Sequence, residues 1–169
     1  MDPVAAEKLH PADVKRILRA LEVFRETGQT ISAHDAAERV LPPKFPSVKI
    51  GLRFADREDM KTLIDHRVDA MVAAGLLDEV RLLLIRGLPW SATALQAIGY
   101  KEFSGVLAGE KTETEAVEEV KLRSRQYAKR QLTWLRRDSG IHWIEWEKNR
   151  DFARAVQIST EILSAEGLF

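Results

Sequence analysis

Arg67 is the first residue whose surroundings call for chemistry. In "MKTLIDHRVDAMV" the apolar residues Met60, Leu63, Ile64, Val68 and Met71 define one helical face, and Arg67 falls on it. An arginine there must pair with a carboxylate, snorkel to solvent, or meet an anionic ligand in a cleft, because a buried unpaired guanidinium is strongly destabilising. Its neighbours Asp65 and His66 point away from each other on a helix and have no triad-like partner at useful spacing, so both read as surface residues. His10, His34 and His142 stand alone, without a second ligand at helical spacing, and no metal site is expected. The chain has no cysteine, and neither a GxxxxGK[ST] nor a GxGxxG phosphate loop occurs.

The second chemical signal is "RSRQYAKRQLTWLRR", residues 123 to 137, with six Lys or Arg in fifteen positions and no acid. At about 100° per residue, Lys121, Arg123, Arg125, Lys129, Arg130, Arg136 and Arg137 share one arc, while Val120, Tyr127, Ala128, Trp134 and Leu135 lie opposite as a core face. A helix that is merely soluble mixes signs and gains i,i+4 pairs. Here the acids stop at Glu119, and like charges sit at 125 and 129. Such repulsion calls for an anion, and phosphate suits the planar fork of arginine and releases counterions when neutralised. Gln131 falls among the apolar positions and reads either as a satisfied buried amide or as a group aimed at a ligand.

Several elements must position these residues. Val14, Ile17, Leu18, Leu21 and Phe24 predict a helix with Pro11 in its first turn and Gly28 as its stop. "LPPKFPS" (41–47) is a connector into a strand, "VKIGLRF". Asp56 caps a helix through about Ala74, and after Gly75 a second helix runs to Gly87. Residues 89–98 are ambiguous, and a short helix follows. Thr112 and Glu115 form a capping box that opens a long helix to about Arg137. "IHWIEW" reads as a second strand and residues 151–165 as a terminal amphipathic helix. Two strands make a poor sheet alone, so they are expected to need partners from outside this chain.

At 169 residues and 45% hydrophobic, the chain can bury a core. With 26 basic and 26 acidic side chains the formal net charge is zero, so any preference for a polyanion must be local. No apolar run approaches the length of a membrane span, and a cytoplasmic protein is expected.

Six pieces, in this order and at compatible spacing, resemble the tRNA dimethylallyltransferase family: "DP" at 2, "HPADVKRILRALEVFRETG", "IGLRFADRE", "RVDAMVAAGLLDEV", "AIGYKE" and "SRQYAKRQLTWLR". The resemblance implies transfer of a dimethylallyl group from dimethylallyl diphosphate to N6 of the adenosine 3′ of the anticodon in tRNA. It implies an α/β fold with a P-loop-like, nucleotide (ATP)-binding core, of which this chain supplies a mostly α-helical part with about two strands. Residues 1–10 would end a helical insertion and 11–169 would form the C-terminal part of the core.

On that template Arg67 matches the arginine that holds the diphosphate and stabilises its departing charge. Segments resembling the tRNA-contacting elements are Lys15, Arg16, Ile17, Leu18 and Arg19; Gln96, Ala97, Ile98, Gly99, Tyr100 and Lys101; and Ser124, Arg125, Gln126, Tyr127, Ala128, Lys129, Arg130 and Gln131. Ser124 stands where many members have threonine. Phosphate contacts from Lys15, Arg16, Arg19, Lys101, Arg125, Lys129 and Arg130 would position the anticodon stem-loop. The family's glycine loop, its P-loop lysine, its aspartate base and the ligands of its Mg2+ have no match here, so the resemblance is to the C-terminal half. The isolated chain is expected to be inactive, and the complete protein a monomer. A non-catalytic RNA-binding module derived from the family is the alternative reading.

Overall fold

A computed structural model of the protein describes residues 1–42 and 44–168, and one residue of the predicted connector, Pro43, lies outside the described residues. The chain divides into two compact units, Met1–Ser47 and Val48–Phe169, so the proline-rich connector ends where the first unit does.

The first unit holds three helices: α1 (Pro3–Lys8), α2 (Val14–Thr27) and α3 (Ile31–Val40). Asp2 explains how the "DP" pair works. Pro3 starts α1, where its missing N–H costs nothing, and Asp2 caps the helix by accepting from the Ala5 N–H at 3.0 Å. The second Asp2 oxygen accepts from the Ser32 N–H at 3.1 Å, which joins α1 to α3. Pro11 is not in the first turn of α2, as the sequence suggests. His10 to Asp13 form a turn closed by the Asp13 N–H on the His10 carbonyl, and α2 begins only at Val14. Gly28 ends it with φ 72°, as expected. Neither α1 nor α3 is anticipated from periodicity; α3 follows a Thr30 cap.

The second unit runs β1 (Lys49–Phe54), α4 (Arg57–Ala73), α5 (Leu76–Ile85), two 3-10 turns at Thr93–Gln96 and Lys101–Phe103, α6 (Ser104–Leu107), α7 (Glu113–Leu135), β2 (Ile141–Trp146) and α8 (Phe152–Ala165). This matches the predicted, mostly helical pattern closely. The capping box of Thr112 and Glu115 is formed in both directions. The core collects Val68 of α4, Leu76 and Leu77 of α5, Phe103, and Ala116 and Val120 of α7.

The two expected strands form a two-stranded sheet. They pair with each other, in parallel, with Gly51 opposite Trp143 and Arg53 opposite Glu145. Parallel pairing needs a long crossover, and α4 to α7 supply it. Aromatic edges stiffen one end: Trp146 meets Phe54 at 6.3 Å and Phe152 of α8 at 5.0 Å between ring centroids.

Candidate nucleic-acid interface

The long helix α7 is organised by its antiparallel packing on α4. Two ionic rungs join them. Arg125 Nη1 donates to both carboxylate oxygens of Asp65, each at 2.6 Å, and one turn away Lys121 Nζ lies 2.7 Å from Asp69. Rising one turn on α4 descends one turn on α7, which is what antiparallel helices with acids at i,i+4 and bases at i,i+4 must do. Lys121 also meets Glu118 at 3.0 Å, and these two carboxylates, Asp69 first, hold its pKa above the ordinary lysine value.

These rungs correct the uniform basic arc inferred from sequence. Asp65 is not a plain surface residue, and Arg125 is not a free cation: its side chain is 26% exposed and Asp65's is 34% exposed. Arg123 meets Glu119 at 3.5 Å. Among the described residues, Lys129, Arg130, Arg136 and Arg137 have no ion-pair partner. The positive surface is therefore confined to the last two turns of α7 and the residues that follow.

The aromatic residues assigned to a core face are also exposed, Tyr127 by 50% and Trp134 by 71%. The helical angle is read correctly, since Trp134 lies five turns beyond Ala116 on the same line. The cover runs out instead. Extending the rung spacing puts the first residue of α4, Arg57, level with about residue 133 of α7. Trp134 and Arg130 thus line two shallow clefts of about 380 Å³ each, one shared with Gln126, Lys129, Thr133 and Arg137, the other with Tyr127, Gln131 and Leu135. The Arg130 guanidinium lies 5.8 Å from the Tyr127 ring centroid. Gln131 is exposed, which removes the buried-amide alternative. Ser124, Gln126 and Ala128 are half-buried.

The "QAIGYK" segment is held by side chains outside it. Glu102, buried to 7% exposure, accepts from the Gly99 N–H at 2.8 Å, and Gly99 needs its lack of a Cβ because its φ is 101°. Tyr100 Oη donates to Glu79 of α5 at 2.8 Å, a bond to the carboxylate that raises the phenol's pKa. Gln96 donates to the Trp90 carbonyl at 2.6 Å. Ala97, Ile98 and Lys101 are exposed, and Lys101 has no ion-pair partner among the described residues.

Arg67 is exposed on α4 and makes no ion pair or side-chain hydrogen bond among the described residues. The sequence placed it on the apolar stripe. The buried line of α4 runs through Val68, and Arg67 flanks that line beside half-buried Met60 and Leu63. It is open to an anion and unpaired among the described residues.

In the first unit, Lys15, Arg16, Leu18 and Arg19 are exposed on α2 and Ile17 is half-buried. Arg16 lies 3.4 Å from Asp13 and Arg19 lies 3.7 Å from Glu22, exposed pairs of little strength. Among the described residues no three His, Cys, Asp or Glu gather where a metal ion could be held, so no chemistry is assigned to Mg2+. Among them, too, no helix is long and apolar enough to cross a membrane.

Sequence reasoning missed Asp65 and the exposure of Trp134. The signal for Asp65 was present, because Asp65 and Asp69 repeat the four-residue spacing of Lys121 and Arg125. The exposure of Trp134 depends on where α4 ends relative to α7, which needs the tertiary register.

Comparison with known proteins agrees with this architecture. The family model "IPP transferase" matches residues 1–138. The tRNA dimethylallyltransferase of Geobacter metallireducens is 47% identical over 146 residues, covering 86% of this chain and 47% of the relative. That of Desulforamulus reducens is 44% identical over 165 residues, covering 96% of this chain and 56% of the relative. The chain thus spans about half the length of these curated relatives. Among solved structures, the full-length tRNA isopentenylpyrophosphate transferase of Bacillus halodurans superposes with a TM-score of 0.69 at 35% identity, covering 98% of this chain and 49% of that one. A eukaryotic dimethylallyltransferase described as acting on tRNA gives a TM-score of 0.77 at 28% identity, covering 97% and 44%. This chain belongs to the IPP transferase family, the tRNA dimethylallyltransferases.

Proposed function

We propose that the chain contributes the tRNA-positioning and diphosphate-holding part of a tRNA prenyl transfer. In that reaction a dimethylallyl group leaves its diphosphate for N6 of the adenosine 3′ of the anticodon. The observation that carries the reading is the end of α7, where Lys129, Arg130, Arg136 and Arg137 have no ion-pair partner among the described residues and Lys129, Arg130 and Arg137 share two clefts with the exposed rings of Tyr127 and Trp134. Cations meet the phosphates of a stem and exposed rings stack on unpaired loop bases, so this combination suits a stem-loop better than a duplex or a lipid surface. Lys101, and Lys15, Arg16 and Arg19 of α2, are the other proposed phosphate contacts.

Arg67 is proposed to hold the diphosphate and to stabilise the negative charge that grows on it as the carbon–oxygen bond breaks. Its exposure without a carboxylate partner among the described residues supports this, since the charge of an ion-paired arginine is already largely offset. Residues 1–10 are assigned to the end of a helical insertion and 11–169 to the C-terminal part of the core. The general base, the P-loop lysine and the Mg2+ ligands are assigned to the part of the relatives' length that this chain does not match, and the complete protein is proposed to be a cytoplasmic monomer. The chain alone should bind RNA without transferring the prenyl group, as a non-catalytic module would also do.

The test separates the two. The chain is joined to the unmatched half of the Geobacter relative and assayed with radiolabelled dimethylallyl diphosphate and an anticodon stem-loop. Transfer is expected, and Arg67→Ala should lower it by at least about 100-fold while leaving RNA affinity within about twofold. Equal losses in both would remove Arg67 from the chemistry, and no transfer by the joined protein would favour the module.

A further inference from the structure

Arg125 lies inside the segment that the family resemblance assigns to tRNA contact, yet its charge is already engaged. Both oxygens of Asp65 accept from one of its guanidinium nitrogens at 2.6 Å, in a site where each side chain is about one-third exposed or less. Lys121, one turn away, is similarly held by Asp69 at 2.7 Å, with its side chain 14% exposed. Arg125 makes no hydrogen bond through Nε or Nη2 among the described residues, but a phosphate placed on them would lie beside the Asp65 carboxylate, whose negative charge offsets that of the guanidinium. Lys129 lies one turn along α7 and has no such partner.

We propose that Asp65 is a positioning residue for RNA recognition: it withholds Arg125 from phosphate and clamps α7 to α4, the helix that carries Arg67. This deepens the RNA-binding reading and rests on it. The clamp makes α7 a helix of two functions. Its middle, at Lys121 and Arg125, fixes the helix in place, and its end, at Lys129, Arg130, Arg136 and Arg137, faces the RNA. The Asp65 rung also shields Lys129 from the like charge at i−4. Because both rungs act on α4, the turn bearing Arg67 is held in a set register with the RNA-contacting turns.

The salt dependence of binding tests this, because a merely structural residue does not change the number of phosphates neutralised. The chain is titrated with a fluorescein-labelled anticodon stem-loop at several KCl concentrations, and the slope of log affinity against log salt is read. Arg125→Gln should leave the slope unchanged. Asp65→Asn, which keeps a similar shape and frees Arg125, should steepen it by about 0.7–0.9, the contribution of one more phosphate. The proposal is overturned if Arg125→Gln flattens the slope by that amount, or if Asp65→Asn leaves it where it was. A wild-type slope near zero would sink the RNA reading itself, a result distinct from either. Circular dichroism of both variants confirms that α7 is intact, and the equally uncharged Arg125→Met, a good helix former, replaces Arg125→Gln if the latter loses helix.

Discussion

Replacing Lys129 and Arg130 together by alanine tests the RNA-facing surface where its charge is densest. Four cations at the end of α7 have no carboxylate partner among the described residues, and each phosphate that such a group neutralises contributes about 0.7–0.9 to the salt slope. Four give a slope of about −2.8 to −3.6, so raising salt from about 50 to 200 mM should weaken wild-type binding about 50- to 150-fold. The double variant keeps two of the four. Its slope should be shallower by about 1.4–1.8, and the same change in salt should cost it only about 7- to 12-fold. Other basic residues would add to both slopes equally, so the difference is the quantity to measure. Fluorescence anisotropy with an anticodon stem-loop supplies it. Alanine suits the middle of a helix, so α7 should stay folded. A slope change below about 0.5 would show that these cations only face water, and the interface would have to be sought elsewhere.

Two further predictions concern the fold that carries the site. Gly51→Ala should destabilise the second unit by about 1–3 kcal/mol in urea denaturation, because an added Cβ would lie 2.8 Å from Trp143 and Ile141 side-chain carbons, and a wild-type midpoint would show that the sheet yields there freely. Acid should also weaken this unit: hydrogen bonds lower the folded pKa of Glu119 (from Lys111), Glu115 (from the Thr112 N–H) and Asp138 (from Lys49). A depressed carboxylate stabilises above its unfolded pKa and loses that contribution as pH falls through the folded one, so Tm should fall below about pH 4.5, and less steeply in Glu119→Gln; identical profiles would exclude Glu119 as a contributor.

The sequence made local features legible where one signal dominated. Thr112 with Glu115, Gly75 between two apolar runs, and Gly28 after "RET" each set an element boundary through backbone chemistry that needs no tertiary context. α3 was missed because "ISAHDAAERV" carries little apolar periodicity, so its start rests mainly on the Thr30 cap. The glycine of "IGLRF" belongs to the other class. Nothing local requires it, and its reason is Trp143, ninety-two residues on, lying across the neighbouring strand.

The candidate site divides in the same way, and the division bears on what the basic stretch does. Counting charges along residues 123–137 treats every Lys and Arg as equivalent, and helical angles sort them only into faces. What separates Arg125 from Lys129 is that α4 still lies alongside α7 at the first and has nearly ended at the second. The same ending leaves Trp134 uncovered although it shares the line of Ala116. One geometric fact, the register of two antiparallel helices, therefore determines which cations are spent on holding the fold and which are left for an anion. It also bears on why the exposed Trp134 and cations without partners among the described residues occur together: Lys129 is level with about Lys61, a turn from the start of α4, and Trp134 lies beyond Arg57. An added turn at the N-terminus of α4 that carried carboxylates facing α7 would cover the ring and pair charges at once, and RNA affinity read by fluorescence anisotropy should fall even though no cation had been removed; unchanged affinity would refute the link.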